Sequence, residues 1–173
     1  MRMNVRVNVL IISGSMGAGK TTVLGEVSDI LTMSGIPHAA VDLDALGMAS
    51  LPAGAPDDLM FRNLAAVWKN YASAGLTRLL IARAVESAAE LEQIRAAVPG
   101  SRVVVCRLRS ALDTMRQRVR LREPGMHQRR YVARVAELDT ILDSAALDTY
   151  SISNDSCSVT DVARRLLARG AWF

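Results

Sequence analysis

Gly14-Ser-Met-Gly-Ala-Gly-Lys-Thr21 fits the spacing G-x-x-x-x-G-K-[ST] at every fixed position. The chain has only two lysines, Lys20 and Lys69, and one stands directly behind the last glycine of this run. Glycines let successive backbone N–H groups converge on a phosphate with no side chains in the way, forming an anion nest. The run follows the apolar stretch Val5–Ile12 and leads into Thr21–Met33, where Val23, Val27, Ile30 and Leu31 recur at helical spacing. A loop that feeds a helix N-terminus adds the free amides and the dipole of that helix to the nest. Lys20 is placed to set its ammonium between β- and γ-phosphates, and Thr21 to offer its hydroxyl to Mg²⁺. The expected nucleotide-binding segment is therefore Gly14, Ser15, Met16, Gly17, Ala18, Gly19, Lys20, Thr21 and Thr22.

Outward from this loop, apolar strands alternate with amphipathic helices. The reading gives strands at Val5–Ile12, His38–Leu43, Leu76–Ala82, Arg102–Leu108 and Leu147–Ile152. Between and after them, helices are expected at Thr21–Met33, from Asp57 or Asp58 to Ser73, and at Glu86–Val98. Three more follow at Ala111–Glu123, Gln128–Ser144 and Ser158–Arg169. In the second helix Leu64, Val67, Trp68 and Tyr71 form the apolar face. Strands that are apolar throughout are buried on both faces, which predicts an α/β fold of three layers around a five-stranded parallel sheet. The 173 residues, half of them apolar, suit one domain.

Composition narrows the setting. No apolar run reaches the roughly 18–20 residues that span a bilayer. The two cysteines, Cys106 and Cys157, match no metal or redox spacing, and the basic N-terminus leads into glycines, not a cleavage site. A cytoplasmic protein is expected. Nineteen of the 21 basic residues are arginines. Ten of them fall in Arg102–Arg134 against two acids, Asp113 and Glu123, a density that points to anion binding. His38 and His127 are expected bystanders, and Trp68 a core residue.

The kind of nucleotide-binding protein follows partly by exclusion. A guanine-reading Asn/Thr-Lys-x-Asp segment is missing, since the second lysine reads Trp68-Lys-Asn-Tyr71. The third strand ends Leu79-Leu-Ile-Ala-Arg83, in arginine where motor and transport ATPases carry an acid. An acidic pair, Val41-Asp-Leu-Asp44, closes the second strand; residues i and i+2 of a strand share a face. At the carboxyl edge of an open α/β sheet that face borders the ligand crevice. The run Met115-Arg-Gln-Arg-Val-Arg-Leu-Arg-Glu-Pro-Gly125 stacks Arg118 with Arg122, and Arg116 with Arg120, on a helix that Pro124-Gly125 breaks.

These three features resemble the nucleoside-monophosphate-kinase-like small-molecule kinases of the P-loop fold. Shikimate kinase, gluconate kinase, adenylylsulfate kinase and chloramphenicol phosphotransferase are examples, and the likeness spans nearly the whole chain in element order. The runs Asn63–Trp68 and Arg116–Glu123 also resemble an actinobacterial-type group of such proteins. The resemblance implies Asp42 as the metal-side acid and Asp44 as the residue that meets the acceptor hydroxyl. It implies an arginine-rich lid over about 116–134, with Arg118 and Arg122 neutralising transferred charge and Arg129, Arg130 and Arg134 behind them. The acceptor region is expected over about 45–75, with Arg62 and Arg83 reaching a polar or anionic acceptor. Asn154-Asp155 sits where related folds place adenine, although a turn explains it equally.

The expected activity is an ATP- and Mg²⁺-dependent transfer of the γ-phosphoryl group to a hydroxyl or phosphate of a small molecule. Lys20, Asp44, Arg118 and Arg122 would carry it. A nucleotide-sensing module with little turnover and a nucleic-acid-end kinase stay open as alternatives. Few aromatic residues are available to stack bases, which weighs against nucleic acid as a partner.

Overall fold

The computed structural model describes residues 6–53, 58–170 and 172. The strands are β1 (Val7–Ser13), β2 (Ala39–Asp42), β3 (Arg78–Ala82), β4 (Ser101–Arg109) and β5 (Tyr150–Ser153). They form one parallel sheet in the order β2-β3-β1-β4-β5. Every strand lies within a few residues of its expected place; Val5, expected to start the first, lies outside the described residues.

The central strand explains why the sequence reads as continuously apolar. Val9 to Ile12 are fully buried, flanked by β3 with Ile11 opposite Ile81 and by β4 with Ile11 opposite Val105. Successive side chains point to opposite faces. Leu10 and Ile12 join Leu80, Ala82, Cys106 and Leu108 under the helices α1 (Lys20–Met33), α5 (Leu112–Arg122), α6 (Gln128–Ala145) and α7 (Val159–Gly170). Val9 and Ile11 join Leu79, Ile81 and Val105 under α3 (Leu59–Ser73) and α4 (Ala88–Ala97), where Leu64 and Trp68 are buried. The expected cap at Asp58 is only positional, because its side chain accepts no capping bond; Asp57 is outside the described residues. No described helix is long and apolar enough to cross a membrane.

One element was not expected. The chain leaves β2 at Asp42 and turns at once into a short helix, α2 (Leu43–Leu46). The Asp42 carboxylate accepts from the Asp44 backbone N–H at 3.2 Å, an N-cap interaction that closes the strand one residue early. The shared strand face expected for Asp42 and Asp44 is therefore corrected: Asp42 ends the strand and Asp44 belongs to the helix. A strand cannot continue where its last side chain takes the next turn's free amide.

The arginine-dense segment also resolves into separate partnerships. Arg107, on the same face of β4 as Val105, is buried with its side chain 2% exposed. It donates to Asp139 Oδ1 and Asp143 Oδ1 of α6, each at 2.7 Å, and to the Asp139 carbonyl at 3.0 Å. Arg109 shares Asp143 at 2.9 Å, and these bonds hold the Asp143 carboxyl below its usual range. Removing one side of a buried pair leaves an uncompensated charge, whereas removing the buried ion itself does not. Asp139→Ala with Asp143→Ala is expected to lower stability by about 3 kcal/mol. Arg107→Met should lower it by clearly less, as measured by urea unfolding.

Candidate functional site

The loop at the end of β1 is clamped from three directions. Ser15 is fully buried, and its hydroxyl donates to the Val135 carbonyl of α6 at 2.7 Å. Asn154, which follows β5, donates its amide to the Ala18 carbonyl at 2.7 Å. Arg118 of α5 donates to the Gly17 carbonyl at 3.3 Å and to the Asn154 carbonyl at 3.2 Å. Two glycines show why side chains are excluded. Gly17 has φ +78°, and a Cβ there would overlap the Met115 carbonyl of α5. Gly19 has φ +95°, and a Cβ there would meet the Asn154 amide nitrogen at 2.6 Å. Gly19 is also the N-cap of α1 and offers no side-chain cap, so the first amides of that 14-residue helix stay free for an anion.

Lys20 opens α1 and folds back over the loop. Its ammonium donates to the Gly14 and Ser15 carbonyls at 3.0 and 3.1 Å. Burial pushes its pKa down to about 8. Asp44 acts against that lowering, Arg122 adds to it, Asp42 opposes it again and Arg83 adds a little more. The charges that surround Lys20 are thus four of the residues singled out in the sequence. Thr21 donates its hydroxyl to Asp42 Oδ2 at 2.8 Å. Two hard oxygens, a hydroxyl and a carboxylate, stand side by side at the phosphate end of the loop. That donor set suits Mg²⁺, which binds through one or two carboxylates together with phosphates and water.

The remaining residues sort clearly. Arg83, just past β3, pairs with Asp44 through Nη1 and with Glu90 through Nε at 2.6 Å. Burial by itself lowers its pKa, but Glu90 and Asp44 outweigh burial and raise it. Arg122 is more exposed and pairs with its neighbour Glu123 at 2.9 Å. Arg134 pairs with Glu86 at 2.7 Å and Glu137 at 2.6 Å. With Met16, Arg130, Tyr131 and Glu137 it lines a cleft of about 650 Å³ beside the loop. Arg129 lies with Arg116 and Arg120 along the outer α5–α6 groove. Arg62 is not brought to Asp44 and Arg83: it lines a groove against α4 with Phe61, Gln93, Ala96 and Ala97. On the other flank of the loop, Gly19, Thr22, Arg118, Asn154 and Cys157 line a groove of about 220 Å³. His38 bonds Ser28 and the Ile36 carbonyl within the fold.

Among solved structures, the chain is similar to the tunicamycin resistance protein of Deinococcus radiodurans, with TM-score 0.65, 18% identity and 95% of each chain covered. It is similar to a gluconokinase from Sinorhizobium meliloti 1021, with TM-score 0.62 and 16% identity over 99% of this chain and 94% of that one. It is also similar to the APS kinase of Mycobacterium tuberculosis, solved with AMPPNP and APS, with TM-score 0.59 and 18% identity over 94% and 96%. The fold is that of the P-loop small-molecule kinases. No family model and no curated protein matches the sequence.

Glu90 is the site residue that sequence reasoning missed. Ser87-Ala-Ala-Glu90 spells a capping box, and Ser87 does accept from the Glu90 N–H at 3.2 Å. The carboxylate, however, turns to Arg83 and to the Glu86 N–H, which no local pattern announces.

Two outcomes follow from this geometry. Gly17→Ala should shift the P-loop off α5 and weaken nucleotide binding by about 100-fold, read by equilibrium titration. Phosphates raise the Lys20 pKa when they bind, so binding near pH 8 should take up a fraction of a proton. Near pH 6, where Lys20 is already charged, uptake by this group should vanish. Calorimetry in buffers of differing ionisation heat, with Lys20→Met as control, reads the difference.

Proposed function

We propose that the chain is an ATP- and Mg²⁺-dependent phosphotransferase that moves the γ-phosphoryl group to a hydroxyl or phosphate of a small molecule. The observation that carries this reading is the convergence of Lys20, Asp42, Asp44 and Thr21 at one end of the P-loop. A nest that only held a nucleotide would not need a carboxylate on the acceptor side of the lysine. The likeness to a gluconokinase and an APS kinase supports the same reading.

In this proposal the amides of Gly17–Thr22 and the Lys20 ammonium hold the β- and γ-phosphates. Thr21 and Asp42 would hold Mg²⁺, which when bound would supply charge neutralisation for the phosphates. The nucleoside end lies in the groove between Thr22, Arg118, Asn154 and Cys157. Asp44 orients the acceptor oxygen and takes its proton, while Arg122 neutralises charge from the lid side. The acceptor enters from the α2–α3 side, where Asp44 is half-exposed. Catalysis of this type is mainly positional and electrostatic.

The test is ADP release over a panel of sugar acids, nucleosides, nucleotides and hydroxylated antibiotics, with Lys20→Met as the blank. At least one acceptor should raise turnover above that blank. With that acceptor, Asp44→Asn should lower kcat by about 100-fold or more while the KM for ATP stays within about threefold. If no acceptor raises turnover but ATP still binds, the nucleotide-sensing reading replaces this one.

A further inference from the structure

Glu90 is out of place for an ordinary helix residue. It sits in the first turn of α4, 8% exposed, and a carboxylate at that depth is costly unless its oxygens are bonded. Both are: Oε1 accepts from Arg83 Nε at 2.6 Å and Oε2 from the Glu86 N–H at 2.8 Å. Neither bond is needed to start α4, because the Ser87 hydroxyl already accepts from the Glu90 N–H. The carboxylate acts instead on Arg83. Arg83 is held at its Nε by Glu90 and at its backbone N–H by the Ile12 carbonyl at 3.1 Å, which leaves its far end for a further partner. That end, Nη1, sits on Asp44 Oδ1.

The geometry points to Glu90 as a positioning residue that holds Arg83 on Asp44, keeping Oδ1 from water until an anionic group of the acceptor draws the guanidinium away. This rests on the phosphotransferase reading of the same site. A site that keeps ATP beside a carboxylate faces a competing reaction. Water takes the acceptor's place, and its oxygen bonds to the γ-phosphorus. The bond from that phosphorus to the β–γ bridging oxygen breaks, and its electron pair stays on ADP. The water proton passes to Asp44 and then to solvent, leaving ADP and inorganic phosphate. With Oδ1 held by Arg83, the carboxylate cannot turn that oxygen to a water molecule. An acceptor with its own phosphate or carboxylate competes for Nη1, so Asp44 is released only when a hydroxyl arrives with it. Of the two ion pairs on Arg83, the Glu90 side chain is 11% exposed and the Asp44 side chain 53%. The exchangeable partner is therefore Asp44, and the fixed one Glu90.

The experiment needs no knowledge of the acceptor. ADP release from ATP and Mg²⁺ without acceptor is measured for the full chain, alongside ATP binding and thermal melting. Arg83→Gln, whose amide still donates to Glu90, is expected to hydrolyse ATP on the order of tenfold faster than the unsubstituted chain, and Glu90→Gln about threefold faster. Adding Asp44→Asn to Arg83→Gln should return the rate to the starting value. If Arg83→Gln binds ATP normally and hydrolyses it no faster, the mask is overturned. If Glu90→Gln lowers the melting temperature without raising hydrolysis, Glu90 is only structural and the positioning role is overturned. Should Arg83→Gln fail to fold, Arg83→Met with Glu90→Gln removes both charges together, and a rate no faster than the unsubstituted chain overturns the mask. Faster hydrolysis with no transfer to any acceptor ends the transfer reading and leaves the mask. Transfer without faster hydrolysis in the variants ends the mask alone.

Discussion

The site depends on a loop that has no room for a side chain at two of its packed positions. Gly17 lies against the Met115 carbonyl of α5, and Gly19 against the Asn154 amide beyond β5. Ser15 is tied to the Val135 carbonyl of α6. Three segments from distant parts of the chain thus press on one turn, and the turn in its place at the end of the central strand presses back. The free amides of α1 keep their aim because the loop beneath them cannot relax. Nucleotide affinity and the stability of the α5–α6 side are for this reason one property: loosening the clamp loosens the nest.

A second principle is that cations at the site are each assigned to specific anions. Arg107 is spent on Asp139 and Asp143, Arg134 on Glu86 and Glu137, and Arg83 on Glu90 and Asp44. The chain's excess of arginine therefore does not spread an even positive field over the crevice. Lys20 and Arg118 are the exceptions, Arg118 bonding only neutral oxygens. Lys20 is held by carbonyl oxygens, with no carboxylate within bonding distance among the described residues, and burial lowers its pKa. A polyanion arriving here meets an ammonium whose charge is not yet compensated.

Much of this was legible in the sequence, for a physical reason. A fully buried parallel strand must be apolar along its whole length, and a phosphate nest must be rich in glycine, so β1 and its loop carry their environment in their composition. Arg118 and Lys20 are where the motif and the helical spacing put them. The strand face expected for Asp44 fails because strand periodicity was carried two residues past an N-cap at Asp42. Arg62 was placed by its position in the expected acceptor segment, yet the side of α3 on which it lies faces α4. Glu90 was invisible, since its partner is seven residues away around the end of β3 and helix propensity explains a glutamate at that position equally well. Pairings that cross between elements leave no local trace.

The two oxygens of Asp42 are divided between two structures. Oδ2 accepts from Thr21 in the loop, while Oδ1 accepts from the amide that opens α2. A carboxylate is rigid, so tilting one oxygen tilts the other. Whatever engages the phosphate side of this aspartate therefore also tugs on the first turn of the helix that carries Asp44. Two halves of the crevice, one for each reactant, are geared to one another through a single planar group.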